Sequence, residues 1–209
     1  MKPALILVAI LVSQNVLAQD RPPLVNGDRL NRTMEKMKEF GGNANGGSDR
    51  VAYSSHNRDA LNYLAGLMES AGMSTRIDYA GNLVGRLEGK RAGTAALIAG
   101  SHIDTVPNGG HYDGIVGVMA AIEVARRLHE AGTALQHPLE IAAWANEERG
   151  KFGSRSLAEE ISLEELALPT YTERNVADGI RYLGGDPDRI NENRRQPGDI
   201  AAFIELHVE

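Results

Sequence analysis

Two short, largely apolar runs, Ala95–Ala99 and Pro138–Ala145, flank a long segment in which Ile115, Val118, Met119, Ile122, Ala125 and Leu128 recur at helical spacing. Runs of that length and composition suit strands buried on both faces, a situation that arises where helices cover a largely parallel sheet. The order strand, loop, helix, strand predicts an α/β fold with a mixed sheet flanked by helices. In such a fold, sites form in the loops beyond the carboxyl ends of the strands.

Other segments fit the same plan. Leu30, Met34, Met37 and Phe40 predict an amphipathic helix from Asp28 to Phe40, and the Gly- and Asn-rich stretch from Gly41 to Ser48 predicts a loop. Ala60, Leu61, Leu64, Leu67, Met68 and Ala71 predict a second helix that closes at Gly72. Met73–Tyr79 and Asn82–Leu87 read as two strands joined at Ala80-Gly81, and Ala201–Val208 as a further buried strand. Ser154–Glu160 and Thr172–Leu183 read as short helices, and Gly184–Gly198 as a polar excursion.

Charge and composition narrow the function. The 209 residues carry 22 Lys and Arg against 28 Asp and Glu, a formal charge of −6, with no basic run. Nucleic acid is therefore an unsuitable partner, because phosphate neutralisation needs a clustered basic surface. No cysteine is present, so a bound metal must be held by His and carboxylates.

The amino terminus has its own logic. Lys2, the apolar run Ala4–Val12 and the small-residue pattern Val16-Leu17-Ala18 ahead of Gln19-Asp20 make residues 1–18 an export signal, which predicts a periplasmic or secreted protein. The run is shorter than the ~20 residues that span a bilayer, so no membrane association is expected after cleavage. Residues 19–27, with Pro22-Pro23, read as a linker into a domain covering 28–209. The final apolar strand meets the end of the sequence at Glu209 without a cap, which predicts a truncated chain.

Ionisable residues gather where the strands end. His102-Ile103-Asp104 follows the first buried run, His111-Tyr112-Asp113-Gly114 precedes the long helix, Asn146-Glu147-Glu148 follows the second run, and Glu205, His207 and Glu209 alternate along the last strand. Extended alternation would put His102 and Asp104 on one side, so that Asp104 could hold the second ring nitrogen of His102 and fix its tautomer. Glu147 and Glu148 would point apart on an extended backbone, one to bind metal and the other to face a water. Asp113, at a loop mouth, is placed to bridge two ions. Taken singly, each group has an ordinary reading as a cap, a solvated pair or a satisfied histidine. Their joint placement at buried strand ends is hard to explain by solvation. His56, His129 and His137 stand alone and read as structural. Ser101 and Ser154 lack a Gly-x-Ser-x-Gly turn, and Gly109-Gly110 lacks the spacing of a phosphate cradle.

The segments Gly100-Ser101-His102-Ile103-Asp104-Thr105-Val106-Pro107-Asn108-Gly109-Gly110, Tyr112-Asp113-Gly114-Ile115, Asn146-Glu147-Glu148, Phe152-Gly153-Ser154 and Ile204-Glu205-Leu206-His207-Val208-Glu209 together resemble the M20 metallohydrolases. The resemblance is to the branch of N-carbamoyl-L-amino acid hydrolases, β-ureidopropionases and allantoate amidohydrolases, and Gly81–Gly89 is similar to that branch's strand ahead of the metal loop. It implies a zinc-exopeptidase-like catalytic domain cut before its lid and dimerisation domain, with a homodimer in the full-length protein. It further implies that His102 binds a first divalent ion, Asp113 bridges two, Glu148 and His207 hold the second, and Glu147 is the general base. Zinc or manganese would serve, as would cobalt or nickel. The implied reaction is hydrolysis of a C–N bond in a ureido or amide group of a small-molecule substrate such as an N-carbamoyl amino acid or allantoate. An M20 peptidase or aminoacylase and a non-catalytic metal-binding fragment are the alternatives.

Overall fold

The computed structural model describes residues 24–208. Residues 1–23, which carry the expected export signal and the first part of the expected linker, and Glu209 lie outside them. Five strands form one sheet: β1 (Ser74–Ile77), β2 (Leu83–Leu87), β3 (Ala96–His102), β4 (Leu139–Trp144) and β5 (Ile200–Ile204), in the order β1-β2-β4-β3-β5. β3 runs parallel to both β4 and β5, whereas β2 is antiparallel to β4 and β1 antiparallel to β2. The sheet is therefore mixed, and helices flank it.

Alternation along β4 explains why its sequence is apolar almost throughout. Leu139, Ile141 and Ala143 face a core built with α1 (Gly27–Met37), α2 (Ser55–Ser70) and α3 (Ile115–Glu130), through Met37, Leu64, Met68, Ile115, Val118 and Ile122. Burying a side chain such as Leu64 or Ile141 contributes roughly 1.5–3 kcal/mol. Ala142 and Trp144 face the other way, onto Ala96 and Ile98 of β3, with Leu157 and Ile200 beside them. Glu140 shares that second face and is buried. Arg86 (2.8 Å) and Arg195 (2.7 Å) each donate to one of its oxygens, which supplies the pairing a buried carboxylate requires. Arg195 comes from the polar excursion, which folds in part as a 3₁₀ helix over Pro187–Asn193.

Caps set the helix starts. The side chain of Asn26 accepts from the Arg29 N–H to open α1, and that of Ser54 accepts from the Asn57 N–H to open α2. Three expectations need correction. The helix expected over Ser154–Glu160 is the single turn α4 (Phe152–Arg155), shifted earlier because Phe152 buries itself in the core. The helix expected from Thr172 begins at Val176, where Asn175 caps α6 (Val176–Leu183), and a further turn, α5 (Leu163–Leu166), starts at a capping box formed by Ser162 and Glu165. The last strand is β5, ending at Ile204 rather than Val208. It pairs only with β3 among the described strands, so Phe203 and Ile204 are exposed rather than buried. No described helix is long and apolar enough to cross a membrane.

Candidate metal centre

Strand register brings the first two groups together. The parallel ladder of β3 and β5 ends at the pair Ala99–Ile204. Three residues beyond that pair stand His102, the last residue of β3, and His207, past the end of β5, and their ring centroids lie 5.3 Å apart with the two Nε2 atoms at 3.1 Å. Asp113, in the loop leading into α3, brings Oδ1 to 3.7 Å from Nε2 of His102 and 3.5 Å from Nε2 of His207. Among the described residues these three form a group whose ligand-type atoms lie within 4.8 Å of one another.

Hydrogen bonding decides what His102 can offer. Its Nδ1 lies 2.9 Å from the backbone carbonyl of Asp104, and a carbonyl only accepts, so Nδ1 carries the proton. In the neutral ring, Nε2 is then a lone pair aimed at Asp113 and His207. A metal-binding imidazole commonly has this arrangement, with its second nitrogen tied to a carbonyl. Oδ1 of Asp113 is buried and has no hydrogen-bond partner. A buried acceptor facing an imidazole lone pair is costly unless a cation or proton lies between them. The donor set and the orphaned oxygen thus fit a divalent cation. Ligands about 2.0–2.1 Å from a tetrahedral zinc would stand about 3.3 Å apart, close to the spacing of the two imidazole nitrogens.

Asp104 acts differently from the sequence expectation. β3 ends at His102, so strand alternation does not extend to Asp104, and its carboxylate stays 3.8 Å from the ring. The backbone carbonyl orients the imidazole instead. The carboxylate accepts from the Glu147 N–H at 3.2 Å and the Glu148 N–H at 3.3 Å, joining the two metal-side loops. Burial pushes the Asp104 carboxyl above the usual range, opposed by the His102 ring and those two N–H groups.

The expectation that Glu147 and Glu148 lie on extended backbone is also corrected. Asn146 has φ +53°, and the chain turns immediately, with the Gly150 and Lys151 N–H groups donating to the Glu147 carbonyl. Oε2 of Glu147 lies 3.8 Å from Nε2 of His102, and Oε1 lies 3.6 Å from Nζ of Lys151. Glu148 is outside the three-residue group, but its carboxyl is pushed up, chiefly by burial and also by Asp113, Asp104 and Glu147, against the pull of His102. His137 donates to or accepts from no group in this region, its Nδ1 lying 2.8 Å from the Ala95 carbonyl.

Two supports were not legible in the sequence motifs. Arg50 is fully buried and donates to the carbonyls of Ile103 (2.6 Å), Met37 (3.1 Å) and Phe40 (2.8 Å), pinning the segment after His102 to the end of α1. Burial lowers its pKa to about 10, against the opposing field of Asp104. A lone arginine after a Gly-rich loop carries no signal of this. Gly114 has φ +65°, and a Cβ there would lie 2.4 Å from Cδ2 and 2.5 Å from Nε2 of His102. Gly114→Ala is therefore expected to displace the imidazole and strain the backbone. It should weaken zinc binding by at least about tenfold, the low end for disturbing a ligand's support, in a calorimetric titration. Unchanged affinity would mean that Gly114 is not needed for the site.

A histidine–carboxylate cluster beyond the carboxyl ends of β3 and β5, in a mixed sheet flanked by helices, defines a candidate metal centre in an α/β fold. The model of peptidase family M28 matches residues 82–172, a span that includes His102, Asp113, Glu147 and Glu148. The chain is 35% identical over 191 residues to an N-carbamoyl-L-amino acid amidohydrolase of Geobacillus stearothermophilus, covering 89% of this chain and 47% of that protein. It is 33% identical over 181 residues to an allantoate amidohydrolase of Bacillus subtilis, covering 84% and 44%. A solved hydantoinase/carbamoylase family amidase from Burkholderia ambifaria superposes with a TM-score of 0.79 at 32% identity, over 90% of this chain and 46% of that one. The chain thus spans about half the length of the relatives it matches.

Proposed function

We propose that this chain carries the metal-binding half of a hydrolase that cleaves a C–N bond in a linear ureido or amide substrate, such as an N-carbamoyl amino acid or allantoate, within the carbamoylase branch of the M20 metallohydrolases. The observation that carries the reading is the convergence of His102 Nε2, His207 Nε2 and the unpartnered Asp113 Oδ1, with the Glu147 carboxylate beside them. His102, Asp113 and His207 would hold one divalent ion, in place of the division of the two histidines between ions that the resemblance implied, because their Nε2 atoms lie 3.1 Å apart; Glu148 would serve a second ion, with zinc or manganese as the first choices for nitrogen and oxygen donors. Bound ions of this kind polarise a carbonyl and lower the pKa of water. Glu147 takes the proton from the attacking water and returns it to the leaving nitrogen. For an N-carbamoyl amino acid, one water is consumed, both C–N bonds of the ureido carbon are broken, and the amino acid, ammonia and carbon dioxide leave. Asp104 and Arg50 keep the two loops in place while this happens.

A peptidase reading is favoured by one observation, the match to the M28 peptidase model. Parallel assays of the full-length, zinc- or manganese-loaded protein on an N-carbamoyl amino acid, allantoate and a dipeptide separate the two. The proposal expects ammonia release from a ureido substrate with little dipeptide cleavage. Dipeptide cleavage without ammonia release would replace it by the peptidase reading.

A further inference from the structure

Beyond Ile204 the β3–β5 ladder stops, yet His207 must still meet His102, and residues 205–208 are exposed. An exposed edge segment has little of its own to fix a side chain to within a few tenths of an ångström. Directly between the ladder and the histidines lies a polar tie: Ser101 Oγ donates to Glu205 Oε1 at 2.7 Å. Ser101 is completely buried, so its hydroxyl needs an acceptor, and Glu205 reaches in from the exposed segment to supply one. α3 presses on the same place. A Cβ on Gly117 would lie 2.2 Å from the Leu206 carbonyl and 2.9 Å from Cβ of Ser101, so this helix has no room for a side chain where the two strands pass.

We propose that Ser101 and Glu205 are positioning residues that clamp the two histidine-bearing strand ends together, so that the clamp, rather than the ladder, sets the His102–His207 separation and hence the affinity for a divalent cation. This deepens the metal-centre reading above and rests on it for its consequence in affinity, though not for the geometry of the clamp itself. Neither residue touches the cation. Each acts through the histidine one or two positions further along its own strand. The clamp needs an acceptor oxygen at position 205; ionisation strengthens that bond, but a neutral carbonyl oxygen can still make it.

Zinc titrations of the full-length protein, by calorimetry with a competing chelator, test this on Ser101→Ala, Glu205→Ala and Glu205→Gln. The first two are expected to bind zinc about 10- to 100-fold more weakly, the range for losing a group that orients a metal ligand, while both still unfold cooperatively, Glu205→Ala at a somewhat lower midpoint because it leaves the Ser101 hydroxyl unpaired. Glu205→Gln keeps a carbonyl oxygen as acceptor and is expected to bind close to wild-type strength. Wild-type affinity in Glu205→Ala, or a loss in Glu205→Gln as large as that in Glu205→Ala, would overturn the clamp. A second readout needs no metal: proton cross-relaxation between the His102 and His207 rings should be present in the metal-free wild type and Glu205→Gln and lost in Glu205→Ala. If the wild type bound no zinc, the metal-centre reading would fall, and the ring contact would still decide for or against the clamp. Because Glu205 is exposed, its variants keep the test valid even if Ser101→Ala does not fold.

Discussion

Under the proposed function, Glu147→Gln is expected to leave the metal content of the protein at the wild-type level while lowering turnover of the proposed ureido substrate by at least about a hundredfold, the lower range for loss of a general acid–base group. The amide has the shape of the carboxylate and keeps its place 3.8 Å from Nε2 of His102, but it has no basic oxygen to take a proton. His102→Ala and Asp113→Ala should behave in the opposite order and lose metal first. Each removes one of three converging donors, and in the first case leaves only the His207 imidazole, 3.5 Å away, facing Asp113 Oδ1. Turnover and plasma-emission metal analysis of the same samples separate the two classes. A rate for Glu147→Gln within tenfold of the wild type would remove Glu147 from the role of base.

Arg50→Ala should have the largest effect on stability. The guanidinium serves the carbonyl of Met37, which also accepts from the Phe40 N–H, the carbonyl of Phe40 in the turn after α1, and the carbonyl of Ile103 next to His102. Truncation leaves those acceptors buried and a void the size of an arginine side chain. At about 1–3 kcal/mol for each buried acceptor left unpaired, the loss is a large share of the stability of an ordinary domain. A urea unfolding curve should show a midpoint shifted well below the wild type, with weakened zinc binding in whatever fraction stays folded. A midpoint unchanged by the substitution would mean that these carbonyls find other partners and that Arg50 is dispensable.

Much of the scaffold is written in local patterns. The helical spacing from Ile115 to Leu128, and the apolar runs that become β3 and β4, follow directly from the burial each position needs, because a strand covered on both faces leaves polar residues only where they are paired, as Glu140 is. The placement of His102 and Glu147 after the two buried runs, and of Asp113 before the long helix, was legible in the sequence, whereas His207 was read within a strand that stops three residues before it. Burial of β5 was not, because an apolar run does not say whether a second neighbour lies beside it. The part played by Asp104 depended on where β3 stopped, a matter of one or two residues that propensity does not resolve. With alternation broken at His102, the backbone carbonyl took the ring and the carboxylate took the two N–H groups. The turn at Glu147 hung similarly on Asn146 adopting left-handed backbone. Arg50 lay beyond reach altogether, because its partners are main-chain carbonyls from distant segments that no side-chain pattern encodes. α5 was the exception: its capping box, Ser162 with Glu165, stands in the sequence and marks the helix start.

The central claim, that His102, Asp113 and His207 share a divalent cation, is open to one direct measurement: anomalous diffraction at the zinc edge from crystals of the zinc-loaded protein. The account predicts a strong peak about 2.0–2.1 Å from Nε2 of an imidazole, lying between His102 and His207 and within bonding range of Asp113. Zinc density elsewhere in the molecule, with the two imidazoles still hydrogen-bonded to each other and Asp113 still without a partner, would contradict it.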